Sequence, residues 1–433
     1  MSGAILIRGG RLIDPHHGVD AVRDVLLRGG KVAEISERPL QPSGASVIDA
    51  AGKWVAPGFI DVHVHLREPG EEGKETILTG ARAAVAGGFT AIVAMPNTVP
   101  PIDSGPLARF VVAVGREANL CRVYPSGAIT RGQQGQELAD IAELVEAGCV
   151  CVTDDGRPVM NAGLMRRALQ WALPLGIPIM VHEEDLTLSH GGAMNEGRTS
   201  ARLGLAPIPR SAEVAMVARD LVLAAETGGR VHFAHLSCED SVRLVREAKR
   251  RGLRVTAEAA PHHFTLSEEA VDGWNTHAKM NPPLRSARDV EAVREGLADG
   301  TIDAIATDHA PHGVGEKSVE FELAPNGVVG LETAVPLALE LVTQGVLDAR
   351  RAVALLSAGP ATAFGLPGGQ LGVGAPADVT IVDPAAEWTI EAGLFFSKAR
   401  NTPFEGRKVR GRVVTTLVGG RVVFQHGEVK EPG

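Results

Sequence analysis

The chain has 433 residues, of which 44% are hydrophobic and 22% are charged, and its formal net charge is −9. This composition is typical of a soluble globular protein that buries a sizeable core, and the negative charge argues against nucleic acid or an anionic membrane as a partner. The length predicts one large domain with an accessory, or two domains.

The sequence also predicts a cellular compartment. The first residues, MSGAILIRGG, lack the layout of a signal peptide, and no apolar run approaches the roughly 20 residues that span a membrane. The cysteines have neither zinc-ribbon nor CxxC spacing, so we expect reduced, buried thiols at Cys121, Cys149, Cys151 and Cys238. The expected location is the cytoplasm.

Both ends of the chain have the pattern of short strands. Residues 1–56 contain AILIRGGRLID, DVLLRGGKVAEIS and SVIDAAGKWV, and the stretch from 366 contains ADVTIVDP and VVTTLVGGRVVFQHGE. Gly-Gly between alternating apolar runs predicts hairpin turns, because such turns need positive φ angles. Since neither end has enough strands for a core of its own, we predict that residues 1–56 and 366–433 together form one small β-sandwich domain.

The middle of the chain, residues 57–365, alternates strand-like runs with helical stretches such as ETILTGARAAVAGG and SAEVAMVARDLVLAAETGG. The predicted strands are GFIDVHVH, FTAIVAMPN, CRVYPSGAI, CVCVTDD, IPIMVHEED, RVHFAHLS, RVTAEAAPHH and IDAIATDHAPH. Continuous apolar strands that alternate with helices indicate a parallel sheet covered on both faces. This pattern favours an α/β fold with a TIM-like (β/α)8 catalytic barrel. A doubly wound open sheet is the alternative.

Chemically capable side chains stand at the carboxyl ends of these strands, where barrel enzymes build their active sites. His63 and His65 are two residues apart and therefore project from one side of a strand. His182, His235 and Asp308 follow three other strands. This set exceeds the needs of one tetrahedral ion and suits two metal ions about 3.5–4 Å apart, joined by a bridging anion.

The fourth predicted strand supplies that anion. CVCVTDD is an apolar run that ends in Asp154 and Asp155. Burying a carboxylate without a partner costs several kcal/mol, so a metal pair explains an acid at this place. Either aspartate is in position to bridge.

With these residues identified, the chain resembles the bacterial type I dihydroorotases of the amidohydrolase superfamily, nearly from end to end. The most specific stretches are GFIDVHVHLREPG (58–70), AMPNT (94–98), VTDDG (152–156), KMNPPLR (279–285), ATDHAPH (306–312) and GVVGLET (327–333). The metal ligands that the resemblance implies are His63, His65, Asp155, His182, His235 and Asp308.

The resemblance places the bridge at Asp155 and leaves Asp154 to loop hydrogen bonding. The alternation of side chains along a strand agrees with this assignment. Asp155 lies on the same face of the strand as Thr153, and Asp154 lies on the opposite face. Relatives such as hydantoinases and allantoinases use a carboxylated lysine as the bridge, but no lysine occurs here between Lys74 and Lys249. The expected cofactor is Zn²⁺, with cobalt or manganese as alternatives, in two sites per subunit of which the second binds more weakly.

The resemblance also implies a substrate site. Its expected contacts are Arg67, Asn97, Asn281, His312, Asn326 and Gly327. Arg67 has the planar fork for a bidentate grip on a carboxylate, which Asn97 and His312 would share, while Asn281 would read the ring edge. Residues 312–317, HGVGEK, are predicted to form a mobile lid.

The activity implied is the reversible cyclisation of N-carbamoyl-L-aspartate to L-dihydroorotate and water in pyrimidine (UMP) biosynthesis. In the implied mechanism a metal-bound hydroxide attacks the ring carbonyl, with Asp308 as general base and then general acid. Two alternatives remain: a hydantoinase- or allantoinase-like cyclic amidase, which predicts a lysine on strand four, and a non-catalytic scaffold for aspartate transcarbamoylase, which would have lost ligands. Besides the small-molecule substrate, the expected partners are a second copy in a homodimer and, as in some relatives, aspartate transcarbamoylase.

Overall fold

A computed structural model describes residues 3–431 of the chain. The strands, numbered in chain order, are β1 (Ile5–Asp14), β2 (Val19–Arg28), β3 (Lys31–Ser36), β4 (Ser46–Asp49), β5 (Trp54–Pro57), β6 (Phe59–Val64), β7 (Phe89–Ala94), β8 (Arg122–Pro125), β9 (Ile179–Val181), β10 (Met194–Asn195), β11 (Pro207–Ile208), β12 (Val231–Phe233), β13 (Val255–Ala259), β14 (Ala304–Ile305), β15 (Val379–Thr389), β16 (Lys408–Val418), β17 (Arg421–Gln425) and β18 (Glu428–Val429).

The α-helices are α1 (Ile77–Ala86), α2 (Gly105–Ala118), α3 (Ile141–Glu146), α4 (Ala162–Leu175), α5 (Leu186–Ser189), α6 (Arg198–Leu203), α7 (Ser211–Thr227), α8 (Glu239–Arg250), α9 (Pro261–Thr265), α10 (Ala287–Asp299), α11 (Val314–Lys317), α12 (Ala334–Thr343), α13 (Ala349–Leu356) and α14 (Ala358–Phe364). Short 3₁₀ turns lie at Arg131–Gln133, Glu268–Val271, Thr276–Ala278 and Ala392–Leu394. None of the helices within residues 3–431 combines the length and apolar content needed to cross a bilayer.

The two ends of the chain pair with each other, as the sequence predicts, and their strands belong to one sheet rather than to separate sheets of a sandwich. Its nine strands run in the order β18-β17-β16-β15-β5-β1-β2-β3, with β4 paired to β1. Strand β5 joins the two ends, because it pairs in parallel with β1 and antiparallel with β15. Apolar side chains from both ends, including Ile7, Val25, Ile381 and Leu417, form one buried cluster. The sheet therefore depends on both ends at once.

One predicted Gly-Gly turn is wrong. Gly29 and Gly30, with φ of 60° and 76°, make the expected turn between β2 and β3. Gly9 and Gly10 instead lie inside β1, where the register with β2 shifts between Ile7 and Gly10. This is a bulge, and Gly10 is needed there because a Cβ atom would lie 2.4 Å from Val55 Cγ2.

The middle of the chain is an α/β region built from two parallel sheets. One has the order β6-β7-β8 and the other β14-β13-β12-β9. Single parallel bridges lie beyond the regular ladders: Gly127 pairs with Val152, Val152 with Ile179, and Val64 with His309. Helices alternate with these strands, and the predicted helical stretches are confirmed as α1 and α7.

Helix α7 shows how the sequence produces this layer. Its buried residues, including Met216, Val217, Leu221 and Ala224, recur at the three- and four-residue spacing of one helix face. The helix ends at Gly228, whose φ of 70° closes it in the left-handed conformation.

The fourth predicted strand is not a regular strand. Residues 149–155 are bridged only at Val152, which pairs with Gly127 on one side and with Ile179 on the other. On the Ile179 side the Val152 carbonyl accepts from Met180 N at 3.0 Å. The ladder does not extend backward because Pro178, two residues before Met180, has no N–H to donate to the carbonyl of Val150. The segment nevertheless brings Asp154 and Asp155 to the carboxyl edge of the strands.

Candidate metal centre

The first pair of predicted ligands lies at the end of β6. His63 is in the strand and His65 follows it, and their rings are 5.4 Å apart between centroids. Both rings turn Nε2 toward Asp155: His63 Nε2 lies 3.3 Å from Oδ1, and His65 Nε2 lies 3.5 Å from Oδ2. All three side chains are buried.

Asp308 completes this first group of ligand atoms. Its Oδ1 lies 3.1 Å from His65 Nε2 and 3.6 Å from His63 Nε2. The residue follows β14, so the group is assembled from segments that are distant in sequence. One group therefore contains two imidazole nitrogens and two carboxylates.

A second group forms on the other side of Asp155. His182 follows β9 and His235 follows β12, and His182 Nδ1 lies 3.0 Å from His235 Nε2. From Asp155 Oδ1 the distances are 3.7 Å to His182 Nδ1 and 3.9 Å to His235 Nε2. Asp155 thus belongs to both groups, and the structure brings all of the predicted ligands together.

These groups fit metal ions of the size of zinc. Two ligand atoms at about 2.0–2.1 Å from one zinc ion in tetrahedral geometry lie roughly 3.4 Å apart, and the observed separations run from 3.0 to 3.9 Å. Within residues 3–431, His63 Nε2, Asp155 Oδ1 and His235 Nδ1 are buried and have no hydrogen-bond partner. Buried polar atoms left unpaired are costly, and a bound cation would satisfy the first two.

Hydrogen bonds behind the ligands orient three of the four imidazole rings. His63 Nδ1 is 2.7 Å from Glu258 Oε1, and His65 Nδ1 is 2.8 Å from Asn97 Oδ1. His182 Nε2 is 3.2 Å from Glu184 Oε2. An acceptor on one ring nitrogen fixes the proton there and leaves the other nitrogen as a metal ligand.

The sequence prediction missed Glu258 and Glu184. Glu258 lies in β13 and is fully buried, and its second oxygen is 3.0 Å from His232 Nε2. An acid inside an apolar strand, RVTAEAA, is the same signal that pointed to CVCVTDD. Glu184 is two residues after His182, so its proximity was also readable from the sequence.

The ionisation of the buried carboxylates in the candidate metal centre agrees with a site for cations. Burial raises the pKa of Asp155, but the neighbouring histidines His63, His65 and His182 outweigh burial and hold that pKa well below its usual range. Burial likewise acts against ionisation of Glu258, but His63 and His232 lower its pKa to about 2. Both carboxylates are therefore ionised at neutral pH.

Asp154 faces away from the ligands. Its Oδ1 accepts hydrogen bonds from Ile129 N at 2.8 Å and Thr130 N at 3.1 Å, and its Oδ2 accepts from the Thr130 hydroxyl. Burial raises its pKa to about 6, against these hydrogen bonds. The side chain holds the loop that follows β8.

Arg67 is a buried cation beside the metal ligands. Its side chain donates from Nε to Pro311 O at 3.3 Å, and the residue is 9% exposed. Among the described residues it forms no ion pair. Burial lowers its pKa, against the charges of Glu71, Asp308 and Asp155. The guanidinium is therefore available to an anion.

The other predicted substrate contacts already have partners. Asn97 Nδ2 is 3.4 Å from Asp155 Oδ2, and Asn281 Nδ2 donates to Glu184 Oε2 at 2.8 Å. These two amides are tied to the metal ligands or to the residues that orient them. A substrate would contact groups whose positions depend on the metal centre.

His312 packs against the turn at residues 326–327. Its Nε2 donates to Asn326 O at 2.7 Å, and Gly327 N donates to Lys279 O at 3.0 Å. Burial lowers the pKa of His312 to about 3, so the ring is neutral with the proton on Nε2. Gly327 has a φ of 135°, and a Cβ there would lie 3.0 Å from His312 Nε2, so this close approach requires glycine.

Three site residues have left-handed backbone conformations. Arg67, His235 and Asp308 have φ of 60°, 29° and 48°. For residues other than glycine this conformation costs of order 1–3 kcal/mol and clusters at functional sites. The sequence gives no sign of it, because most Arg, His and Asp residues have negative φ and no local pattern marks the exceptions.

The predicted lid at 312–317 contains one turn of helix, α11. Lys317 ends that turn, and its Nζ donates to Thr276 O at 2.9 Å, Lys279 O at 3.1 Å and Pro325 O at 2.7 Å. These bonds anchor the end of the segment, and its mobility stays a prediction.

The chain matches two family models. The model described as "Dihydro-orotase-like" matches residues 52–241, and the model described as "Amidohydrolase family" matches residues 209–424. Both matches include predicted metal ligands.

Full-length relatives carry one name. The dihydroorotase of Anaeromyxobacter sp. (strain K) is 57% identical over 430 residues, 99% of this chain and 99% of that protein. The dihydroorotase of Pelotomaculum thermopropionicum is 57% identical over 422 residues, 97% of this chain and 98% of that protein.

Solved structures with similar folds come from neighbouring cyclic amidases. The L-hydantoinase of Arthrobacter aurescens has a TM-score of 0.89 and 28% identity, covering 99% of this chain and 98% of that one. The dihydropyrimidinase of Brevibacillus agri NCHU1002 has a TM-score of 0.83 at 24% identity, covering 99% of this chain and 96% of that one. The second of these indicates the fold alone.

Proposed function

This chain belongs to the dihydroorotase family of metal-dependent cyclic-amide hydrolases, and we propose on that premise that it interconverts L-dihydroorotate and N-carbamoyl-L-aspartate in pyrimidine biosynthesis. The observation that carries the proposal is Arg67, a buried cation without an ion pair among the described residues, beside the metal ligands. Both compounds carry a carboxylate next to the reacting amide, and a guanidinium binds a carboxylate with two parallel hydrogen bonds.

The cofactor that we propose is a pair of Zn²⁺ ions bridged by Asp155. His63, His65 and Asp308 would hold one ion, and His182 with His235 would hold the other. With Asp155 counted in both, the first set offers four protein ligands and the second offers three, so the second ion would bind more weakly. When bound, such ions supply a Lewis acid for the amide carbonyl and lower the pKa of water toward about 7.

Asp308 is the general acid and base in this proposal. Its carboxylate accepts the proton of the attacking water and delivers it to the ring nitrogen that leaves, and in ring closure it carries the proton in the opposite direction. Its Oδ1 contacts both histidines of the HxH pair, which keeps it at the centre of the site. The left-handed backbone at Asp308, with φ of 48°, turns the side chain there.

The remaining substrate contacts follow the same arrangement. Asn97 and His312 bind the substrate carboxylate together with Arg67, and Asn281 forms hydrogen bonds with the edge of the substrate ring. His312 Nδ1 has no hydrogen-bond partner among the described residues, and it donates to a carboxylate only when that nitrogen carries a proton. The carbonyls of Asn326 and Gly327 already accept protein hydrogen bonds and reach the ring only through their second lone pairs.

We place this site in a (β/α)8 barrel formed by residues 57–365, with residues 1–56 and 366–433 as the accessory domain. Support comes from the bridges of Val152 to Gly127 and Ile179, and of Val64 to His309. These are the pairings that a closed ring of strands needs between the two parallel sheets. The cytoplasmic location, the homodimer and the association with aspartate transcarbamoylase stay predictions from the sequence.

A hydantoinase-like amidase is the second candidate function, because the hydantoinase and dihydropyrimidinase folds are so similar. It gives no reason for the buried Arg67, since a hydantoin ring has no carboxylate. The discriminating experiment measures turnover of L-dihydroorotate, hydantoin and dihydrouracil by one preparation of known zinc content. The proposal expects turnover of dihydroorotate at least about 10²-fold above the other two. Preference for hydantoin, or no turnover of dihydroorotate by zinc-loaded protein, would refute it.

A further inference from the structure

Asn401 lies in the C-terminal part of the chain, outside the catalytic region predicted from the sequence, yet it contacts the substrate loops. The residue is 2% exposed. Its Nδ2 donates to Ala310 O at 2.9 Å and to Gly327 O at 3.1 Å, and its Oδ1 accepts from His312 N at 3.1 Å. One side chain thus joins the two loops that carry His312 and Gly327.

The backbone explains why an amide is needed at this point. The segments around His309 and Val328 run side by side, and Ala310 N donates to Val328 O at 2.8 Å. In a continued ladder Ala310 O would accept from Gly330 N, but that N–H donates instead to His309 Nδ1 at 3.1 Å, so backbone pairing stops there. Asn401 supplies the missing partners: its amide group serves two carbonyl oxygens, and its oxygen serves one N–H.

The backbone of Asn401 also binds one of these two loops. Asn401 O accepts from Val329 N at 2.9 Å, so the residue binds the segment 327–329 through both its main chain and its side chain. On the other side of these loops, His312 Nε2 reaches Asn326 O at 2.7 Å. The positions of the His312 ring and of the 326–327 turn therefore depend on each other and on Asn401.

We propose that Asn401 is a positioning residue for substrate recognition, which fixes His312 and Gly327 at the distance that the substrate requires. The inference rests on the proposed substrate roles of those two residues. It makes the C-terminal segment part of the active site, although Asn401 touches neither the substrate nor a metal ligand.

The test compares Asn401→Ala and Asn401→Ser with wild type and with Thr402→Val. Thr402 is the matched control: it is 3% exposed and its Oγ1 accepts from Phe404 N at 3.2 Å, so its loss removes a neighbouring buried hydrogen bond that does not involve the substrate loops. The measurements are KM and kcat for L-dihydroorotate, zinc content and thermal unfolding.

The expected result is a KM for dihydroorotate about tenfold higher or more in both Asn401 variants, with kcat within about threefold of wild type and unchanged zinc content. Thr402→Val keeps the wild-type KM. An unchanged KM in folded Asn401 variants, or a loss of kcat that accompanies loss of zinc, overturns the inference. If wild type itself does not turn over dihydroorotate, the proposed function fails instead, and the two failures are thereby distinguished.

Hydrogen exchange on wild type provides a second measurement that needs no variant. Saturation with the equilibrium mixture of dihydroorotate and carbamoyl aspartate is expected to slow exchange in 310–313, 326–329 and 400–403 together. Slowing in the first two segments without any in 400–403 overturns the inference, even if neither Asn401 variant folds.

Discussion

The carboxylates of Asp154 and Asp155 belong to consecutive residues and point to opposite sides of their segment. Asp154 accepts hydrogen bonds from the backbone and hydroxyl of a loop. Asp155 lies among four histidines, with its Oδ1 3.3 Å from His63 Nε2 and 3.9 Å from His235 Nε2. Two adjacent acids thus have separate roles, one in holding a loop and one in binding metal.

This division gives the first prediction. Asp155→Asn is expected to lose zinc, because the amide cannot bridge two cations as a carboxylate does. Asp154→Asn is expected to keep its zinc and lose about 1 kcal/mol of unfolding free energy, since its oxygen still accepts the two backbone N–H groups. Metal analysis after dialysis and denaturant unfolding measure the two effects. Equal zinc loss in both variants would contradict the assignment.

Glu258 gives the second prediction. It holds His63 by a 2.7 Å hydrogen bond to Nδ1, which presents Nε2 to the metal. Glu258→Gln is expected to weaken zinc binding by about 10–100-fold, as removal of such supporting carboxylates does. Competition with a chelator measures the affinity. Glu332→Gln is the control, because Glu332 is partly buried and its carboxylate accepts hydrogen bonds only from backbone N–H groups. Its zinc affinity should equal that of wild type.

Asp308 gives the third prediction. In Asp308→Asn the amide cannot accept and return the proton, so kcat for dihydroorotate is expected to fall by at least about 10²-fold while KM changes by only a few-fold. The assay is run at saturating zinc with occupancy measured, because Asp308 is also a proposed ligand. Turnover near that of wild type at equal zinc content would remove Asp308 from the mechanism.

Glu332 gives a prediction about pH. Burial raises its pKa from 4.5 to about 8, against hydrogen bonds from Phe396 N and Ser397 N. The unfolded chain therefore releases this proton near pH 4.5, whereas the folded chain holds it until about pH 8, so the carboxyl destabilises the fold increasingly as pH rises through that range. Wild type should lose roughly 3 kcal/mol relative to Glu332→Gln between about pH 5 and pH 8. A pH-independent difference in unfolding free energy would show that Glu332 is ionised in the fold.

Much of the site could be predicted because its residues stand at strand ends with simple spacing. His63 and His65 are related by strand alternation, and the absence of lysine between Lys74 and Lys249 singles out an aspartate as the bridge. The sharing of one sheet by both chain ends followed from too few strands at either end. These inferences need only the local sequence pattern and the direction in which the strands run.

Other features depend on contacts that no local pattern encodes. The fourth strand shortens to one bridged residue, Val152, and on the side of Ile179 this is because Pro178 cannot donate to it. Gly9 and Gly10 form a bulge because β1 continues past them beside β2. Asn401 reaches the site from far along the chain. In the sequence it resembles any loop residue, because only the structure shows where the pairing between the segments around His309 and Val328 ends.

The most direct test of the metal centre is a crystal structure of the zinc-loaded protein with anomalous data at the zinc edge. We expect two zinc peaks that share the carboxylate of Asp155, one with His63, His65 and Asp308 and the other with His182 and His235. A peak coordinated by Asp154, or metal bound without contact to Asp155, would contradict it.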